Sequence, residues 1–155
     1  MKALFAAAAI VAAEPVIAPG ALATEPVIVP AAGSVPETVQ RLKSSVEDAG
    51  AKVFSVVDLG GGVKSIGKDV GEIQLVILGD PRIGARAMSG DPLAALDLPA
   101  KILVYGGDEG TTMAYEQPAD ILAEWDMPPD LLKQMAKTLE DHLGGGRIAD
   151  DCVRR

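Results

Sequence analysis

The residues that could do chemistry are few and scattered. Gly62-Val63-Lys64-Ser65-Ile66-Gly67-Lys68 fits the first seven positions of the nucleotide-binding pattern G-x-x-x-x-G-K-[ST], but the eighth is Asp69. Such a loop holds phosphates by surrounding them with backbone amides at the N-terminus of a helix that begins at Gly-Lys. Only Asp69 to Glu72 separate Lys68 from the next apolar run, so no such helix fits. A carboxylate also stands where a Mg²⁺-binding hydroxyl is required. The stretch instead predicts a short helical connection between two strands, with Val63, Ile66 and Val70 turned inward.

Asp80-Pro81-Arg82 follows an apolar run that suits a central strand, and sheet ends often carry ligands. Asp80 can accept a hydrogen bond there, and Arg82 can hold a carboxylate or phosphate. The same residues also read as a helix start, with Asp80 as the cap and Pro81 in the first turn. Lys101 and Tyr115 fall on the two arms of a β-hairpin. Tyr115 either points its phenol into a pocket or is a half-buried sheet residue, and Lys101 reads first as a solvated strand end. Asp58 and Asp97 could form an acid/base pair, but nothing in the spacing joins them, and turn capping is the simpler role.

His142, the only histidine, falls in the last turn of the last helix, where a cation suits the helix dipole. A metal site there with Asp141 or Cys152 would need further ligands, and Gly144-Gly145-Gly146 intervenes. No metal or cofactor is expected. The single cysteine cannot form an intramolecular disulfide. The chain therefore offers no Ser-His-Asp or Cys-His set.

The elements that must position these groups belong to one domain in a chain of 155 residues with 3% aromatics, so the core must be aliphatic. The net charge of −8 and the lack of any basic run beyond Arg154-Arg155 exclude a phosphate-neutralising surface for nucleic acid and disfavour anionic lipid. Residues 1–23 read as an export signal: Lys2, the apolar run Ala3 to Ala13, and Ala21-Leu22-Ala23 as a cleavage pattern. The apolar run falls short of the about 20 residues that span a bilayer. Cleavage leaves a mature chain expected to be soluble, periplasmic or secreted. Residues 24–33 form a linker or edge strand, 34–143 the domain, and 144–155 a loose tail.

Ser34-Val35-Pro36-Glu37 is a capping box, and Val35, Val39, Leu42, Val46 and Ala49 mark one helical face that Gly50 ends. Lys52 to Asp58 and Ile73 to Leu78 read as strands. Two short helical pieces follow between Pro81 and Leu98, the second capped by Asp91. Ile102 to Tyr105 and Thr111 to Tyr115 form a hairpin with Met113 and Tyr115 on one face. Gln117-Pro118 opens a short helix with Ile121, Leu122 and Trp125 inward, and Pro128-Pro129 starts the last, whose face is Leu132, Met135, Leu139 and Leu143. Strands joined by hairpins and short links, without βαβ alternation, indicate an α+β domain with a mainly antiparallel sheet and helices packed on it.

Five segments carry a resemblance. They are Ser34-Val35-Pro36-Glu37-Thr38, Gly50-Ala51-Lys52-Val53-Phe54 leading to Val57-Asp58, and Leu78-Gly79-Asp80-Pro81-Arg82-Ile83-Gly84. The others are Leu96-Asp97-Leu98-Pro99-Ala100-Lys101, and Tyr115 before Pro118. In this order, over about Ser34 to Trp125, the chain resembles the domain of unknown function 302 family. The resemblance implies a TATA-binding-protein-like arrangement of sheet and helices, homodimers, and no established activity. The family's Phe-Gly-Asn-Pro stands here as Leu78-Gly79-Asp80-Pro81, and its Asp-His as Asp58-Leu59, so the histidine best suited to catalysis or metal binding is missing. The expected function is non-catalytic binding of a small ligand or a protein partner. The alternative is an enzyme acting on a small anionic or carbonyl compound, and it requires Asp80, Arg82, Lys101 and Tyr115 to converge on one pocket.

Overall fold

The computed structural model describes residues 25–143. The leader expected over 1–23, and the tail from 144 with Cys152, lie outside them. Five strands form one antiparallel sheet: β1 (Val27–Ala31), β2 (Lys52–Asp58), β3 (Ile73–Gly79), β4 (Ala100–Gly107) and β5 (Gly110–Tyr115), in the spatial order β1-β5-β4-β3-β2. The fold is therefore α+β, as the strand spacing indicates. β4 and β5 close around Asp108-Glu109, with Gly107 opposite Gly110 as the last pair. β1, from the segment expected to be a linker or edge strand, pairs with β5 along its whole length.

α1 (Val35–Asp48) begins where the sequence says it must. Ser34 Oγ accepts from the Glu37 amide at 3.4 Å, and the Ser34 amide donates to Glu37 Oε2 at 2.8 Å, so two amides with no helical partner are satisfied reciprocally. Its buried stripe of Val35, Val39, Leu42 and Val46 packs against Val76, Leu78, Ile102, Val104, Met113 and Tyr115 of the sheet. Each such aliphatic side chain contributes roughly 1.5–3 kcal/mol on removal from water. Gly50, at φ +74°, turns the chain out of the helix with the left-handed geometry a glycine allows at no steric cost.

α2 (Leu59–Lys64) is the short helical connection expected between two strands. It precedes Gly67-Lys68 instead of starting there, so the phosphate-loop pattern has no helix to serve it. Gly60 has a structural reason: a Cβ there would collide with the Gly71 carbonyl oxygen and crowd the Ile73 amide. The inward placement of Ile66 and Val70 is corrected, because the helix ends at Lys64 and leaves Ile66 76% exposed and Val70 also exposed.

α3 (Pro81–Gly90), a 3-10 turn over Pro92–Leu96, α4 (Pro118–Ile121) and α5 (Pro129–His142) complete the described residues. They build a second apolar cluster in which Ile83 and Ala87 of α3 meet Leu122, Leu131 and Met135, with Leu98, Trp125 and Leu132 partly buried around them. The fully buried face of α5 starts at Leu131, one position before the expected Leu132, which is half-buried. Further along, Leu139 and Leu143 enter the first cluster, so α5 ties both clusters together.

Candidate functional site

The two clusters do not close completely on each other. Between them, at the C-terminal end of β3, lies a cavity of about 540 Å³. Its walls are apolar: Phe54 from β2, Leu78 from β3, Ile83 and Met88 from α3, Leu98 from the loop before β4, and Met135 and Leu139 from α5. Two glycines shape it. Gly79 lets the Phe54 ring and Pro99 approach, since a Cβ there would lie 3.7 Å from the ring and 3.4 Å from Pro99. Gly84 opens the α3 wall. Polar groups are limited to Ser55, Thr138 and Asp80, and the Thr138 hydroxyl donates to the Gln134 carbonyl at 2.8 Å.

Asp80 is the one candidate residue that lines this cavity. Its carboxylate accepts from the Arg82 amide at 2.8 Å, which caps α3, and from the Arg82 guanidinium at 3.0 Å (Nε) and 2.7 Å (Nη2). The guanidinium hydrogen bonds, aided by the Arg82 amide, hold the Asp80 carboxyl below its ordinary range, against the opposing effect of burial. The side chain of Asp80 is 10% exposed while that of Arg82 is 78% exposed. Arg82 thus directs its bidentate fork at Asp80 instead of presenting a free cation to a ligand.

The other candidates are dispersed. Asp58 caps α2 by accepting from the Gly61 amide at 2.8 Å. It opposes Gln74, whereas Gly79, next to Asp80, opposes Lys52. Asp58 and Leu59 therefore lie at the far end of the β2–β3 ladder from the cavity. Tyr115 pairs with Ile102 and is buried against the α1 side of the sheet, and burial pushes its phenol pKa up, aided by the nearby Glu140 charge. Lys101, adjacent to Ile102, is exposed and projects from the opposite face. Asp80, Arg82, Lys101 and Tyr115 do not converge on one pocket, so the arrangement required by the enzymatic alternative is absent among the described residues. Asp97 accepts from Trp125 Nε1 at 2.7 Å, just before Ala100, which pairs with Leu78 at the opposite end of β3 from the Gln74 that Asp58 faces.

His142 also departs from expectation. It is buried at the α1–α5 contact, with Nδ1 3.4 Å from Ser45 Oγ and Nε2 unpartnered among the described residues. Burial lowers its pKa, opposed by the Asp141 charge and by Ser45, a shift away from the cation that the helix end would favour. Among the described residues no cluster of three metal-ligating side chains occurs.

The cavity walls have no signature in the sequence, where Phe54, Met88, Leu98 and Met135 look like ordinary core residues. The only local hints were Gly79 and Gly84, which flank the Asp80 cap.

Known proteins place this architecture. The structure is similar to the crystal structure of an uncharacterized conserved DUF302 protein from Bacillus stearothermophilus, with a TM-score of 0.71 and 21% identity over 78% of this chain and 97% of that one. In sequence, 77 residues, half of the chain, are 34% identical to proteins named Fluoride-specific ion channel FluC 1 from Brucella suis and from Brucella abortus. The match spans only 30% and 28% of those proteins' lengths. Among the described residues no helix is long and apolar enough to cross a membrane. A family model described as "Domain of unknown function DUF302" matches residues 27–144, from the first residue of β1 to just past α5, and on that match the chain belongs to the DUF302 family.

Proposed function

We propose that this DUF302 domain is a non-catalytic binding protein that takes one small, uncharged, apolar or amphipathic molecule in the cavity between β3, α3 and α5. The observation that carries the reading is the cavity itself. Its volume of about 540 Å³ falls within the roughly 300–1,000 Å³ range of small-molecule sites. Its walls are nearly all hydrocarbon and thioether, and its one carboxylate is already matched by Arg82. A charged ligand would lose hydration without gaining a partner. The lining hydroxyls, from Ser55 and Thr138, have no histidine beside them to act as base. The export pattern of residues 1–23 supports action in a periplasm or outside the cell.

The test is titration of the full chain with N-phenyl-1-naphthylamine, a neutral apolar fluorophore, alongside native mass spectrometry of protein taken from its own compartment. Saturable binding near one equivalent is expected. Gly84→Leu should lower affinity at least tenfold by filling the cavity, while the far-ultraviolet circular dichroism stays unchanged, because leucine is a better helix former than glycine. No saturable binding, or full binding by the variant, sinks the cavity reading. Turnover of any small molecule by the purified protein sinks its non-catalytic part.

A further inference from the structure

The 3-10 turn over Pro92–Leu96, between α3 and β4, is built inside out. Its small residue Ala94 is fully buried, whereas Leu93 and Leu96 are 59% and 76% exposed. A 3-10 helix has three residues per turn, so side chains at i and i+3 stand one above the other. Leu93 and Leu96 therefore form one knob of two leucines turned away from the protein. Folding in water favours the opposite arrangement, with leucine in and alanine out. The turn is also fastened at both ends. Asp91 accepts from the Leu93 amide at 2.8 Å. The Asp97 amide donates to the Ala94 carbonyl at 3.2 Å, and the Asp97 carboxylate accepts from Trp125 Nε1 at 2.7 Å. The leucines are thus held outward by a fixed scaffold.

Two observations indicate what covers the knob. It adjoins the cavity, because Ala95, between the two leucines, lines that cavity together with Phe54 and Met88. Phe54 and Met88 are themselves exposed, so the cavity meets the surface among apolar groups. The second observation is charge. From Asp80 to Asp97 the only charged residues are two arginines and three aspartates, and each has a partner. Asp80 pairs with Arg82, and Arg86 reaches Asp130 at 2.8 Å and Gln134 at 3.2 Å. Asp91 holds the Leu93 amide and Asp97 holds Trp125. A protein interface adds a rim of hydrogen bonds around its apolar centre, and the polar side chains here are already engaged. An apolar knob among paired charges suits a zwitterionic bilayer, where leucine exchanges water for acyl chain. The chain's charge of −8 opposes anionic lipid.

We infer that Leu93 and Leu96 dock the protein on the surface of electrically neutral lipid, from which the neighbouring cavity is loaded or into which it is emptied. The docking surface stands on the turn itself. Only the transfer of a ligand rests on the cavity reading given above.

Flotation of the full chain with phosphatidylcholine vesicles tests the docking. The wild type should float with the vesicles, and replacing part of the lipid by phosphatidylglycerol should weaken the binding. Leu93→Ser combined with Leu96→Ser should lower the partition coefficient roughly tenfold or more. The double variant should bind N-phenyl-1-naphthylamine as the wild type does when no vesicles are present, since neither leucine lines the cavity. A wild type that ignores the vesicles overturns the inference and leaves the knob to a protein partner. Equal flotation by the double variant, or stronger flotation with phosphatidylglycerol, overturns it as well. So does a double variant that also loses the fluorophore, because the leucines would then serve the cavity directly. Flotation that depends on the leucines in a protein that never binds the fluorophore upholds the docking surface and ends the cavity reading alone.

Discussion

His142 carries the clearest consequence at the level of one side chain. Its ring is buried, with Nε2 unpartnered among the described residues. Burial lowers its pKa below 6.5, against the opposing influence of Asp141 and Ser45. A histidine with a depressed folded pKa binds its proton more readily in the unfolded chain. Stability is therefore fully present above about pH 6.5 and declines as the pH falls below that value. The Asp80 carboxyl, held low by Arg82, adds a second loss that begins only as the pH falls below 3.8, so the two limbs start at different pH. His142→Leu should flatten the decline that sets in below pH 6.5 in urea denaturation, and should gain about 1 kcal/mol at pH 8 by removing a buried polar atom without a partner. Parallel pH profiles for the two proteins would show that the ring does not control this limb.

Local chemistry governs α1, and its cap can be weighed directly. Ser34→Ala removes the acceptor for the Glu37 amide and should cost about 1 kcal/mol in urea denaturation, with Ser34→Asp nearly neutral; equal losses for both would mean that the hydroxyl makes some other contact. This cap, the strand at Lys52 to Asp58, the hairpin and the Asp80 and Asp91 caps were legible in the sequence because each depends on neighbours within a few positions. Where packing decides, the sequence was ambiguous. Leu131 and Leu132 are equally apolar, and only the position of Leu122 and Ile83 selects Leu131 as the buried one. Ile66 and Val70 fit a helical period that the chain abandons at Lys64. His142 follows the dipole rule by position, yet the α1–α5 contact overrides it. The cavity had no local signature at all, since its walls come from β2, β3, α3, α5 and the loop before β4, and only the closed fold brings them together.

For the molecule as a whole, the two clusters and the seam between them imply two levels of stability. The first cluster is the sheet with α1 and the end of α5; the second joins α3, Leu122 and the start of α5. The cavity weakens the contact between them, so the second should open while the first stays folded. Substitutions can separate this from a single cooperative transition. Ile102, fully buried on β4, belongs to the first cluster alone, and Ile102→Ala should cost about 2–5 kcal/mol. If the second cluster opens separately, Ile102→Ala destabilises the native and the partly open states equally against the unfolded chain. Amide exchange in β3 and β4 then accelerates at least tenfold, while exchange in α3 stays at the wild-type rate. Leu131→Ala, in the second cluster, destabilises the native state against both others and should accelerate exchange in all of these elements. A ligand seated in the cavity touches both clusters, stabilises the native state against both others, and should slow exchange in all of these elements. If Ile102→Ala speeds α3 and the strands by the same factor, the protein is one cooperative unit, and the cavity is an opening in a core that holds or fails as a whole.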